Sequence, residues 1–393
     1  MSEIKVNSIK GVGASAAAIT VNNTDGTCTA NITNNLSNRN LIINGAMQVA
    51  QRGTSSTASG MKTVDRFNCS SAGTDETPTQ EQADITSGTT PYISGFRKSY
   101  KITNGNQTSG AGSSDAILIE YKSESQDIAT SGWNFKSATS FLTMSFWVKS
   151  SVAQEFQCQL YNPDTNKAYL FTYTVSSADT WQKITHSVKG DSTINFNVDN
   201  GQGLECAWYL FIGTDQTVAS PTENTWATYS GTSTKKDAVS TWYTTNDATF
   251  EITGVQWEVG SVATDFEHRS FAQELALCQR YYYAAFPLGS NTSALGVIGP
   301  YTTSQSFSVI QFPCTMRAAP SGDITMSSGY IQMYTPEDTG GRLCNALTVA
   351  ELTPQSSRLY YHSFSSNFSS AAGGAGYAMV NSDSFKLCFQ SEL

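Results

Sequence analysis

Two-residue alternation, repeated along most of the chain with little helical periodicity beside it, is the feature that most constrains the fold. In Thr139 to Lys149 (TSFLTMSFWVK), Leu142, Met144, Phe146 and Val148 alternate with Phe141, Thr143, Ser145 and Trp147. Successive side chains of a strand point to opposite faces, so one set is expected in a core. Glu155 to Tyr161 repeats the pattern with Phe156, Cys158 and Leu160. Ala168 to Val175 shows Tyr169, Phe171, Tyr173 and Val175, and Glu205 to Ile212 shows Cys206, Trp208, Leu210 and Ile212. Arg97 to Thr103, Ala116 to Glu120 and Thr180 to Val188 read as further strands, separated by Gly, Asn and Asp turns. Such a series predicts an antiparallel β-sandwich of jelly-roll type, like a carbohydrate-binding module, over residues 41–269.

One helix is expected. The strand around Phe250 to Val259 presents Phe250, Ile252, Gly254 and Gln256 on one face, turns at Gly260 and runs through a charged knot from Asp265 to Arg269. Ser270 and Gln273 have capping-box spacing, and Phe271, Leu275, Cys278 and Tyr282 follow at helical intervals. This predicts a connecting helix over 270–285. Short strands return after it, from Ala294 to Phe389, and predict a second, smaller antiparallel β-sandwich over 286–393, with a flexible loop at Ser369 to Gly376 (SSAAGGAG). The fold class expected is therefore all-β: two jelly-roll-like sandwiches joined by a short helix.

Residues 1–40 hold short extended pieces (Ile4, Val6, Ile9, then Ile19, Val21) broken by Gly11, Gly13, Asn22, Asn23, Asp25 and Gly26. So short a stretch cannot bury a core of its own. It is expected to be an extended assembly segment.

Charged residues are only 14% of the chain, and 23 Lys plus Arg against 32 Asp plus Glu give a net charge of −9. That balance argues against nucleic-acid binding and against attraction to anionic membranes. No run reaches the roughly 18 apolar residues of a membrane span, so no membrane insertion is expected, and the N-terminus lacks a secretory signal pattern. Eight cysteines (Cys28, Cys69, Cys158, Cys206, Cys278, Cys314, Cys344, Cys388) are scattered singly. They read as reduced core thiols of a protein made in a reducing cytoplasm.

Catalytic signals are sparse. His186, His268 and His362 lie far apart and show no metal-ligand spacing, so no metal and no cofactor is expected. GVGAS at 11–15 lacks the Lys-Ser/Thr and helix of a phosphate cradle, and no GxSxG elbow is present. Glu251, Glu258, Asp265 and Glu267 cluster near the junction and are a candidate carboxylate set for glycoside cleavage. Pairing with His268 and Arg269 to fix the turn is the simpler account. All seven tryptophans fall between residues 133 and 257. Trp147, Trp181, Trp208 and Trp257 sit in strands and are expected in the core or a subunit interface. The segment from Gly213 to Ala248 has no strand period, yet carries Trp226, Tyr229, Trp242 and Tyr243. Aromatic faces in a polar loop can stack on sugar rings, so these four are the ligand-binding candidates for glycan contact.

Several stretches together resemble tail fibre proteins of tailed bacteriophages, particularly marine and cyanobacterial ones. They are SEIKVNSIK (2–10), NLIINGAMQVAQRGTS followed by VDRF, SFWVKS (145–150), TWQKIT (180–185), ITGVQWEVGSVATDFEHRS (252–270), ELALCQRYYY (274–283) and FPCTMRAAP (312–320). Departures are Trp257, where that family more often has a smaller aliphatic residue, and Asp265, where proline is common. The resemblance implies a virion protein and not an enzyme, synthesised in the host cytoplasm. It implies a homotrimer that docks through residues 1–40 onto a tail adaptor or nozzle protein and meets a host-surface glycan at its distal end. The alternatives are a tailspike enzyme that cleaves surface polysaccharide and a purely structural virion or decoration protein.

Overall fold

The fold was read from a computed structural model that describes residues 8–9, 19–21, 28–30, 38–302, 304–335, 338–363 and 375–393. It is all-β and antiparallel. Two six-stranded sheets face each other between residues 55 and 259. The first runs Trp226–Thr228, Lys167–Thr174, Glu155–Asn162, Gln202–Ile212, Ala116–Glu124, Phe67–Ala72. The second runs Gln182–Lys189, Phe141–Ser150, Thr249–Val259, Lys98–Thr103, Thr79–Asp84, Ser55–Ser56.

Alternation decides what lies between the sheets. Leu142, Met144, Phe146 and Val148 from the second sheet meet Cys158, Leu160, Phe171, Cys206 and Trp208 from the first, all buried. Phe146 and Trp208 pack edge to face at 5.9 Å, as do Tyr121 and Trp257 at 5.8 Å. The strand Thr249–Val259 is buried along nearly its whole length, including Glu251 and Glu258. A bulge interrupts it between Thr253 and Gln256, where Gly254 has φ +62° and the Phe96 ring fills the space a side chain would take.

The helix Phe271–Gln279 starts as expected: Gln273 N donates to Ser270 Oγ and Ser270 N donates to Gln273 Oε1. Its buried face differs from the expected apolar stripe. Cys278 is buried as expected, but Phe271 is exposed, Leu275 is half-buried, Glu274 is buried, and Tyr282 lies past the end of the helix in a strand. The reason is that the helix lies on a polar seam. Glu274 accepts from Asn44 N at 2.6 Å and from Arg269, which also donates to Asn40 O and Ile42 O.

After the helix the chain forms a three-stranded sheet (Tyr282–Phe286, Lys386–Gln390, Ser321–Thr325) and a closed six-stranded barrel. In the barrel Ala294–Thr302 and Ile331–Thr335 both pair with Gly376–Val380, and this closes the ring. A separate core fills this unit, with Ile298, Met333, Leu359, Tyr361 and Phe389 among its members.

Contact between the sandwich and the barrel unit runs through the motif residues. Arg280 pairs with Glu124, the Arg66 guanidinium lies 3.5 Å over the Tyr281 ring, and that of Arg52 lies 3.6 Å over the Tyr282 ring. Glu392 receives both Arg52 and Arg66, and Arg317 donates to Ser391 O, Glu392 O and Asn200 O. The junction charges expected to fix the turn into the helix are not part of this set. Glu267 and Arg269 instead hold the chain entering at Asn40.

Within the expected assembly segment, the described pieces Ser8–Ile9, Ile19–Val21 and Cys28–Ala30 pair as a small antiparallel sheet. The rest of 1–37 lies outside the described residues, as does most of the loop expected at 369–376. Among the described residues no helix is long and apolar enough to cross a membrane.

Candidate functional site

Three of the four loop aromatics are turned inward, which corrects their reading as glycan contacts. Trp242 is wholly buried, its Nε1 donating to Thr249 O at 3.0 Å. Tyr243 stacks on Phe211 at 4.3 Å and donates to Asp115 Oδ2 at 2.9 Å; burial pushes its pKa up. Trp226 is buried on an edge strand against Tyr169, with Nε1 donating to Lys189 O. Only Tyr229 is half-exposed, 4.5 Å from the Tyr161 ring. The physical reason is that the polar part of the loop has partners of its own. Gln157 exchanges two hydrogen bonds with the Lys236 backbone, and Gln159 Nε2 donates to Thr234 O. Two side-chain amides thus tie residues 234–236 across the outer face of the first sheet, and the aromatics are free to fill the core.

The junction carboxylates are mostly engaged. Glu251 pairs with Lys149 at 2.8 Å and accepts from Ser99 Oγ. Glu258 accepts from Gln256 Nε2, Thr264 N and Thr264 Oγ1, and Glu267 accepts from Asn40 N. Asp265 alone is exposed. These four residues do not assemble a free carboxylate pair of the kind glycoside cleavage requires.

The histidines are also placed. His186 lies flat on Phe171, ring centroids 4.0 Å apart, and burial pushes its pKa down to about 4. His362 bonds Gln305 and Thr348. His268 Nε2 donates to Ser94 O at 2.9 Å. Among the described residues no group of three or more His, Cys, Asp or Glu could hold a metal.

That last hydrogen bond builds a groove. It ties the segment 265–268 to the helical turn at 90–95, and Phe96, Phe266 and His268 form a three-ring cluster with centroids about 5 Å apart. This wall stands over the outer face of the second sheet and encloses about 480 Å³. Ser145, Trp147 and Lys183 line the sheet side, and Asp265 lines the wall. Strand register brings them together, since Trp147 pairs with Lys183 on one side and with Thr253 on the other, next to Gly254. The absence of a side chain at Gly254 leaves the floor to Phe96.

Four polar groups of the groove have no internal partner among the described residues. Trp147 is half-buried and its Nε1 makes no hydrogen bond among the described residues; the same holds for Lys183 Nζ and the Asp265 carboxylate. Ser145 is only 3% exposed, and its hydroxyl opens onto the groove without a partner. A half-buried indole ringed by such groups can hold a small hydroxylated ligand. Trp147 was expected in the core or a subunit interface, and it lies outside the core. Its neighbours Phe146 and Val148 are the core residues, so alternation itself points Trp147 outward.

No protein-family model matches the chain, and no curated protein matches it. Solved structures align with it at low similarity. The enzymatically active domain of tailspike protein 4 of bacteriophage CBA120 aligns at 10% identity and TM-score 0.30, over 56% of this chain and 21% of that one. A CBM4 structure aligns at 12% identity and TM-score 0.29, over 55% and 98%. The family 11 carbohydrate-binding module of the cellulase Lic26A-Cel5E of Clostridium thermocellum aligns at 10% and 0.26, over 55% and 98%.

Proposed function

We propose that the chain is a receptor-binding tail fibre protein of a tailed bacteriophage that recognises a saccharide of the host surface. The observation that carries the saccharide reading is the groove, in which the Trp147 indole lies beside three unpartnered polar groups, those of Ser145, Lys183 and Asp265. A pyranose presents an apolar C–H face and a rim of hydroxyls, and the groove offers the complement of both. The phage setting is supported by the motif resemblance. On this reading residues 1–40 dock the protein onto a tail adaptor or nozzle protein, three copies assemble, and each contributes a weak site that gains strength from multiplicity. Binding takes place without cleavage, a view supported by the engagement of Glu251, Glu258 and Glu267. Nucleic acid and membrane have no part in it.

Replacing Trp147 by Ala is the direct test. Retention of the fold with loss of adsorption to host cells is expected, and adsorption unchanged by the substitution would overturn the reading. Light scattering tests the trimer, and release of reducing ends from host polysaccharide would contradict the non-enzymatic view.

A further inference from the structure

The geometry points to a neutral pyranose as the groove's ligand class, with acidic and cationic sugars disfavoured. The inference rests on the saccharide reading of the groove and goes further by specifying charge.

Two residues of opposite charge line the same 480 Å³ space, Lys183 on the edge strand and Asp265 on the wall, and the nearby Arg39 guanidinium is engaged by the Asp265 carbonyl oxygen at 2.7 Å. The next cation on the strand Phe141–Ser150, Lys149, is neutralised by Glu251 at 2.8 Å and so adds nothing to the balance. A uronic acid or phosphorylated sugar seated on Trp147 would gain from Lys183 but meet Asp265, and the chain's net charge of −9 adds to the repulsion of any acidic polymer. An amino sugar would meet the reverse conflict. A neutral pyranose meets neither. Its adjacent hydroxyls donate to the two carboxylate oxygens, another accepts from Lys183, and Ser145 and the Trp147 N–H remain for the ring oxygen or a third hydroxyl. Specificity is built from repulsive as well as attractive elements, and here the pair of opposite charges acts as the filter.

The experiment is calorimetric titration of the full chain with neutral hexose oligosaccharides and with oligogalacturonate, each at low and high NaCl. Trp147→Ala, Asp265→Asn and Lys183→Met are compared with wild type, and circular dichroism confirms folding. Expected is binding of a neutral oligosaccharide with an affinity unchanged by salt, weakened roughly tenfold or more by Asp265→Asn and abolished by Trp147→Ala. Preference for oligogalacturonate, falling with salt and lost in Lys183→Met, would overturn the neutral assignment while leaving a saccharide site in place. Binding of no oligosaccharide by wild type, or binding that survives Trp147→Ala, would overturn the saccharide reading of the groove and this inference with it.

Discussion

Glu124 and Arg280 form a two-point ion pair, with Nε and Nη2 at 2.6 and 2.8 Å from the two carboxylate oxygens and Glu124 wholly buried. The Tyr281 hydroxyl adds a third bond at 2.6 Å. Burial alone would raise the carboxyl's pKa, but the bonds from Arg280 and Tyr281 outweigh it and hold the pKa below its ordinary value. The pair joins the end of a sandwich strand to the chain leaving the helix. Removing one partner of a buried pair leaves the other uncompensated. Glu124→Ala is therefore expected to lower stability by about 3 kcal/mol or more. Arg280→Lys, which cannot make the parallel contacts, should cost about 1–3 kcal/mol. Urea denaturation curves at pH 7 measure both.

Two buried groups give pH slopes of opposite sign. His186 has its pKa lowered to about 4 by burial, so the folded state disfavours the charged ring. Its contribution is present above the unfolded value of about 6.5 and is lost as pH falls towards 4. Allowing for its partial exposure, the loss is about 1–2 kcal/mol. Asp65 has its pKa raised to about 6, chiefly by burial, against the opposing pull of Arg52 and Gln51. Its folded state favours the proton, so stability rises as pH falls from about 6 to its unfolded value, by about 3 kcal/mol at most. Relative to wild type, denaturation midpoints measured from pH 7 to pH 4 should fall with acidity in Asp65→Asn. In His186→Phe they should rise with acidity.

The strands were legible because a period of two survives in the sequence wherever one face is buried, as at Leu142, Met144, Phe146 and Val148. The helix start was legible because Ser270 and Gln273 carry their signal within four residues. Barrel closure was not, since it depends on Ala294–Thr302 finding Gly376–Val380 at long range. The groove was hidden for the same reason, because its wall is made when His268 reaches Ser94, 174 residues away. The inward turn of Trp242 and Tyr243 was set by Gln154 and Asp115 on distant segments, which a polar local sequence does not reveal. Trp147 is the exception: its outward position followed from alternation with Phe146 and Val148.

Gly254 couples the bulge to the groove. Its φ of +62° is strained for other residues, and an added Cβ would lie 2.6 Å from Phe96 Cζ. Gly254→Ala is expected to cost about 2 kcal/mol or more, the sum of the left-handed conformation and a displaced ring. Because Phe96 packs on Phe266 and His268, the wall should move as well. Thermal melts should show the loss of stability, and tryptophan fluorescence should report a changed Trp147 environment; a full-stability variant would refute the steric argument.

Gln157 and Gln159 hold residues 234–236 against the first sheet with side-chain amides instead of apolar burial. Each such hydrogen bond contributes about 1 kcal/mol net, so the attachment is weak compared with the sandwich itself. The Lys236 ammonium adds an ion pair to Glu155 at 2.8 Å, but both groups are partly exposed and little is gained there. The double substitution Gln157→Ala, Gln159→Ala should therefore free residues 230–239 without unfolding the chain. Hydrogen exchange in that segment should speed up by about ten- to a hundredfold, while exchange in Phe141–Ser150 stays near its wild-type rate. Equal acceleration in both would mean that the loop and the sandwich open as one unit.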